Sequence, residues 1–266
     1  MKKSFISFNF VGKDSVKFEN TIEIPVYVAN ALKSFCKNKK DDDQIFDLID
    51  ASDINKFLSE CMPECTAKLF RTAIASKLLV DAFKEQKVTK GMSVREKLHA
   101  FDMANLAVAK KLNHKKALPK NFDEQIAKMD TQIQAAIDKE ELTSSKVKHN
   151  LKKIRSDIER ANKNFEGDTL KLALKNLKER EAKEKEKLKK AEEKVTALKE
   201  KRDFKSMTGD IAINTSRTNY CTPEIAYSIC KDLDIPIEKI YTKTLREKFK
   251  WAEDTPKNYW RKYPEV

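Results

Sequence analysis

The chain has 266 residues, enough for one large domain or two modest ones, and 40% of them are hydrophobic, so a core can form. Lysine and arginine number 55 against 42 acidic residues, a net charge of +13, which points to a polyanionic partner, nucleic acid first and an anionic membrane second. Only four glycines occur and neither GxGxxG nor GxxxxGKS/T is present, which argues against a nucleotide-hydrolysing engine; no apolar run approaches the ~18–20 residues that span a bilayer.

The N-terminus, "MKKSFISFNFVGK", is basic and then apolar, but it alternates and has no small-residue cleavage site, so it does not read as a signal peptide. In "SFISFNF", Ile6, Phe8 and Phe10 alternate with Ser7 and Asn9, a period of two. The turn "VGKDS" and the return strand "VKFEN" make a hairpin, with "TIEIP" as a short third strand. Residues 26–112 read as helices through "PVYVANALKSFCK", "DQIFDLI", "SDINKFLSECM" and "ECTAKLFRTAIASKLLVDAFKEQ", with caps at Asp53 and Ser93.

Residues 119–205 differ in kind. Apolar residues step by three and four along two arms, one from Phe122 to Phe165 and one from Leu170 to Leu198. Between them lies "NFEGDT", where Gly167 ends one helix and Asp168 caps the next. An antiparallel helical hairpin follows, with arms on the order of 50–60 Å long. From Lys171 to Arg202 there are 13 basic and 7 acidic residues, so the second arm has a positive face, which suits either solvent or DNA. Residues 206–266 return to globular composition and hold both tryptophans. About 60 residues have little core of their own, so this segment is expected to fold back onto the first domain.

The five cysteines have no regular spacing, which fits a reducing compartment. Cys61 and Cys65 lack the His or second pair that would complete a zinc set, and no HExxH, GxSxG or spaced carboxylate pair occurs. Four residues could carry chemistry of another kind. Lys13, in the hairpin turn, is either solvated or a proton donor to a leaving oxygen. Arg71, one turn after Lys68 in a mostly apolar helix, either snorkels or presents a forked donor to a phosphodiester. His114 lies among lysines in "KKLNHKKALPK"; that setting disfavours imidazolium, and a neutral ring can donate one N–H to phosphate. Taken alone, Tyr220 in "TSRTNYCTPEI" reads as a packing residue with a hydrogen-bonded hydroxyl.

Together these stretches resemble a family. "FNFVGKDS", "TAKLFRTAIAS", "ANLAVAKKLNHKKALPK", "TSRTNY" and "IPIEKIYTKTLREKFKWA" are similar, in that order, to the C-terminal half of eukaryotic-type (nuclear) DNA topoisomerase IB. The resemblance implies a mainly α fold with a small N-terminal β-hairpin, a tyrosine recombinase/topoisomerase IB-like core interrupted by an antiparallel coiled-coil linker. It implies a core portion at 1–118, a linker at 119–205 and a C-terminal tyrosine domain at 206–266. Tyr220 would be the nucleophile that forms a 3′-phosphotyrosyl bond, and Arg71 and His114 would hold the non-bridging oxygens. Lys13 would protonate the 5′-oxygen, and Asp14, Lys68, Arg217 and Asn219 would lie against double-stranded DNA. No cofactor, ATP or metal is implied; the implied location is the nucleus and no membrane is involved. Where the family has Ser-Lys before the tyrosine, this chain has Ser216-Arg217. The family's first catalytic arginine and its N-terminal clamp lie upstream of the hairpin, so a clamp fragment or subunit is expected to supply them. Losing one preorganised phosphate donor costs about 10²–10³ in rate, so the chain by itself is expected to relax supercoils poorly. A tyrosine recombinase shares this chemistry but is not expected to carry the long linker. A non-catalytic coiled-coil DNA-binding protein is the remaining alternative.

Overall fold

A computed structural model describes residues 3–12 and 17–263. The chain divides into two compact units: the residues up to Ala117 together with those from Asp210 onward, and Leu118–Gly209 between them.

The first unit begins with an antiparallel pair, β1 (Ser4–Val11) and β2 (Lys17–Ile24), in register from Ser4 opposite Ile24 to Val11 opposite Lys17. The expected third strand is not separate. "TIEI" continues β2 because each of its residues has a partner on the eight-residue β1. Lys13 and Asp14, and the turn that carries them, lie outside the described residues.

Two helices follow, α1 (Val26–Phe35) and α2 (Ala51–Cys61), and neither buries a residue. The expected helix at "DQIFDLI" does not form. Instead Lys39 Nζ donates to the carbonyls of Gln44 at 2.6 Å and Ile45 at 3.1 Å and pairs with Asp47 at 2.7 Å, which holds the segment as a loop. The cap of α2 is Asp50 rather than Asp53. Asp53 is the far member of a capping box, its carboxylate accepting the Asp50 N–H at 2.9 Å.

The core is built on α3 (Ala67–Glu85), α4 (Val94–Lys111) and α8 (Pro223–Leu233), with α7 (Ile213–Asn219) beside them. Residues from both ends of the chain share one hydrophobic cluster: Leu79 and Phe83 from α3, Phe101 from α4, Ile225 and Ile229 from α8, and Trp260 near the C-terminus. The ring of Phe83 meets those of Phe101 and Trp260 edge-on at 6.1 and 5.5 Å. Buried Lys97 on α4 donates to the carbonyls of Lys90 and Leu233, both at 2.8 Å. The second of these satisfies an orphan carbonyl at the end of α8. Ser93 caps α4 through a capping box with Glu96. A short helix, α9 (Lys243–Lys248), and three 3-10 turns complete the unit among the described residues.

The second unit is a pair of long helices, α5 (Phe122–Asn164) and α6 (Gly167–Met207). They run antiparallel, because Asp130 pairs with Arg202 at 2.8 Å and Asn150 donates to Glu184 at 3.1 Å. On α5 the buried residues are Val147, Ile154 and Ala161, one every seven positions. Gly167 does not end α5 but opens α6 with φ 61°, a left-handed conformation glycine adopts without penalty. Asp168 lies in the first turn of α6, which has no side-chain cap.

Among the described residues no helix is long and apolar enough to cross a membrane. All five cysteines are free: Cys65, Cys221 and Cys230 are buried, whereas Cys36 and Cys61 are exposed.

Candidate active site

Arg71, His114 and Tyr220 come from three separate elements of the first unit and meet in one cleft of about 310 Å³, which Phe10, Gly12, Phe18 and Lys115 also line. The sequence explains how each is delivered.

On α3 the buried stripe begins at Ala75 and continues through Leu79. Arg71 and Lys68 extend that stripe toward the N-terminus, one and two turns earlier, where both are exposed. Asn55 on α2 accepts the N–H of Ala67 at 3.0 Å, which satisfies one orphan donor at the start of α3.

His114 follows the end of α4. Asn113 takes φ 55°, the His114 N–H reaches the Ala109 carbonyl at 2.9 Å, and the Asn113 N–H reaches that of Lys110 at 3.1 Å. This is a Schellman ending, with asparagine at the left-handed position. It turns the histidine off the helix axis. Residues 114–116 then pair with residues 210–212: Ala212 donates to the His114 carbonyl at 2.7 Å and Lys116 to that of Asp210 at 2.8 Å.

That pairing sets α7 beside His114, and Tyr220 caps α7. The N–H groups of Tyr220 and Cys221 both donate to the Ser216 carbonyl, at 3.0 and 2.9 Å. Pro223, the first residue of α8, starts the next helix where its missing N–H costs nothing.

Arg71 Nη1 donates to Tyr220 Oη at 3.1 Å, and its guanidinium carbon lies 4.4 Å from the ring centroid. Arg71 Nη2 donates to the Leu112 carbonyl at 3.4 Å and is 3.5 Å from His114 Nε2. The His114 and Tyr220 rings stack with centroids 5.3 Å apart and planes at 28°. Lys68 Nζ is 5.8 Å from the Tyr220 centroid. The cleft therefore brings together a phenol, an imidazole and the Arg71 guanidinium, a set of donors suited to an oxyanion.

His114 is 9% exposed. Burial first, and the Arg71 charge second, hold its imidazole below the ordinary value of 6.5. Cys221, next to Tyr220, does not compete as a nucleophile: it is buried and its thiol is pushed up to about 12 by desolvation.

Arg217 is not part of the cluster. Its guanidinium turns toward α4, 3.6 Å from Asp102 Oδ1, and Nη2 donates to Asn214 at 2.5 Å. Burial lifts the Asp102 carboxyl above its usual range, against the pull of Arg217. Asn219 is exposed at the end of α7. Sequence reasoning missed Asn105, Ser216 and Ser76, three fully buried polar residues behind the cleft. An isolated Asn or Ser in a helical stretch carries no signal of a partner more than a hundred residues away. Among the described residues no group of three or more His, Cys, Asp or Glu is arranged to hold a metal ion.

Comparison with known proteins adds an independent line. Residues 1–151 match the family described as eukaryotic DNA topoisomerase I, catalytic core, and residues 179–261 match the C-terminal topoisomerase domain. The chain is 34% identical over 251 residues to human DNA topoisomerase 1, covering 94% of this chain and 30% of that protein. It is 34% identical over 261 residues to Arabidopsis thaliana DNA topoisomerase 1 alpha, covering 96% of this chain and 26% of that protein. With Caenorhabditis elegans DNA topoisomerase 1 it shares 33% over 253 residues, 95% of this chain and 28% of that protein. The chain thus spans less than a third of the length of these relatives.

Proposed function

The chain belongs to the eukaryotic DNA topoisomerase I family, and on that premise we propose that it supplies the nucleophile-bearing part of a type IB topoisomerase acting on double-stranded DNA. The observation that carries this reading is the convergence of Arg71, His114 and Tyr220, from three elements, on one cleft.

In this reading a phosphodiester enters the cleft and the Tyr220 hydroxyl attacks phosphorus as its proton passes to solvent water. The phosphorus–O5′ bond breaks and a 3′-phosphotyrosyl bond forms. Arg71, already within hydrogen-bond distance of the phenol oxygen, shifts its forked donors to the non-bridging oxygens as charge builds there. His114, kept neutral, donates an N–H to the same group without adding repulsion beside Arg71. Lys13 is the proposed proton donor to O5′. Lys68 is the proposed neighbouring phosphate contact, and Asp14 and Asn219 flank the scissile step. Arg217, whose guanidinium lies 3.6 Å from Asp102 Oδ1, is a proposed further DNA contact beside the tyrosine. The phosphotyrosyl bond conserves the energy of the broken one, so the 5′-hydroxyl reverses the step and neither ATP nor a metal is required.

The second unit, with its buried residues every seven positions on α5, is the proposed coiled-coil linker between a core portion and a tyrosine domain of recombinase-like fold. A segment or polypeptide carrying the rest of the family's core is proposed to provide the clamp and a further arginine. What supports such a partner is the uncovered apolar surface on the first unit. Phe5, Phe10, Tyr27, Phe46, Leu48 and Phe57 are all exposed, and α1 and α2 bury nothing. Nuclear location belongs to the same proposal.

The experiment is adduct capture. The chain, alone and with that polypeptide, is incubated with a nicked duplex in EDTA without ATP and stopped with detergent. A protein–DNA band that Tyr220→Phe abolishes is expected; a band that survives this change rejects Tyr220 as the nucleophile. Efficient supercoil relaxation by the chain alone would overturn the need for a partner.

A further inference from the structure

Behind Tyr220 lies a polar pair that the proposed chemistry leaves unused. Asn105 on α4 and Ser216 on α7 are each 0% exposed. Asn105 Nδ2 donates to the Ile213 carbonyl at 2.8 Å. Ser216 Oγ is 2.9 Å from Asn105 Oδ1 and 2.9 Å from the same Ile213 carbonyl. A hydroxyl has one proton. Giving it to Asn105 Oδ1 leaves the Ile213 carbonyl to the amide N–H, so every polar atom of the pair has a partner.

The pair sits at a joint. The Ser216 carbonyl is the one that accepts both the Tyr220 and the Cys221 N–H. Asn105 is on the helix whose Schellman ending presents His114. One side-chain contact therefore links the element that carries the phenol to the element that carries the imidazole. On the far side of Tyr220, the Thr222 N–H donates to Ser76 Oγ at 3.0 Å. Ser76 is also 0% exposed and lies on α3, the helix that carries Arg71. The nucleophile thus hangs between two buried tethers, one to each helix that supplies its partners.

Stability alone does not call for this arrangement. A buried polar pair returns little net energy, and an apolar contact of the same shape is often as good or better. Apolar contacts, however, do not fix the rotation of a helix of only seven residues, whereas hydrogen bonds of defined direction do. We propose that Asn105 and Ser216, with Ser76 as the opposite tether, are positioning residues that set the Tyr220 phenol against Arg71 and His114. This rests on Tyr220 being the nucleophile.

The test uses the full chain as Ser216→Ala, Asn105→Leu and the double variant. Four quantities are read: the single-turnover rate of adduct formation on nicked duplex with the completing polypeptide present, DNA affinity, the melting temperature, and the His114 ring resonances, which feel the stacked Tyr220 ring. Ser216→Ala is expected to slow adduct formation about 10- to 10²-fold, leave DNA affinity unchanged and shift the His114 resonances. The double variant, with its apolar fit restored, is expected to melt no lower than Ser216→Ala yet remain as slow. Variants that melt lower but keep the wild-type rate and the wild-type His114 resonances overturn the proposal. If the wild type forms no adduct, the nucleophile reading fails on its own. The resonances still decide the positioning, because an unmoved His114 signal in Ser216→Ala rejects it.

Discussion

Helices α8 and α5 make an instructive pair. The first has eleven residues, of which eight are buried, and is packed among α3, α4 and the C-terminal turns. The second has 43 residues, of which three are buried, and two of these, Ile154 and Ala161, cluster with Leu177 of the one partner helix. What differs is the number of directions from which each is held. Contacts from several elements fix a side chain in three dimensions, whereas a seam fixes a helix only against its one neighbour. Chemistry that depends on ångström-level placement belongs with the first kind of packing, and it is there that Arg71, His114 and Tyr220 come together.

This contrast can be broken or sharpened by substitution. The largest effect is expected from Tyr220→Phe, which keeps the ring stacked on His114 but removes the hydroxyl; no DNA adduct should form on a denaturing gel. Arg71→Ala should retain binding and slow cleavage by ~10²–10³-fold, the scale for deleting one preorganised donor, as read by single-turnover kinetics. Next come two matched truncations. Phe83→Ala, in the core, should lower unfolding free energy by about 3–5 kcal/mol and loosen the cleft with it. Ile154→Ala, in the seam, should cost about 2 kcal/mol, the low end for such a change. Its opening should appear by hydrogen exchange in α5 and α6 while the amides of α4 and α8 stay protected. If both truncations unprotect the same amides, the two units are not separate in stability.

The smallest effect concerns pH. Because the folded state holds the His114 imidazole below 6.5, the unfolded chain binds more protons just below that value, and stability falls as pH drops through it. Well above 6.5, where both states are deprotonated, the histidine contributes little slope. Urea melts of the wild type and His114→Gln from pH 7.5 to 5.5 should diverge at the acid end, with the variant showing the shallower loss. Parallel curves would mean that the ring is not held neutral by burial.

Much of this was legible in the residues. Alternation in "SFISFNF" gives β1, and the i, i+4 stripe of "AKLFRTAIAS" gives α3 with Arg71 at its open end. Other features were not. "DQIFDLI" has helical spacing, but a single lysine, Lys39, captures its carbonyls, and nothing local announces that competition. The pairing of Arg217 with Asp102, at 3.6 Å, joins residues distant in sequence, and nothing local announces it. The proximity of Arg71, His114 and Tyr220 was available only through resemblance, since the chain separates the last two by the entire second unit. The contact between Asn105 and Ser216 was not legible, because a pairwise hydrogen bond leaves no periodicity.

The short pairing of residues 114–116 with 210–212 acts as a clasp. The chain leaves the first unit and re-enters it at neighbouring points, so everything from Leu118 to Gly209 is, for the cleft, a parenthesis. Lengthening both long helices by a turn adds little closure entropy and moves neither end of the clasp. Selection is therefore free to alter the span of that excursion while the geometry at its mouth stays constant.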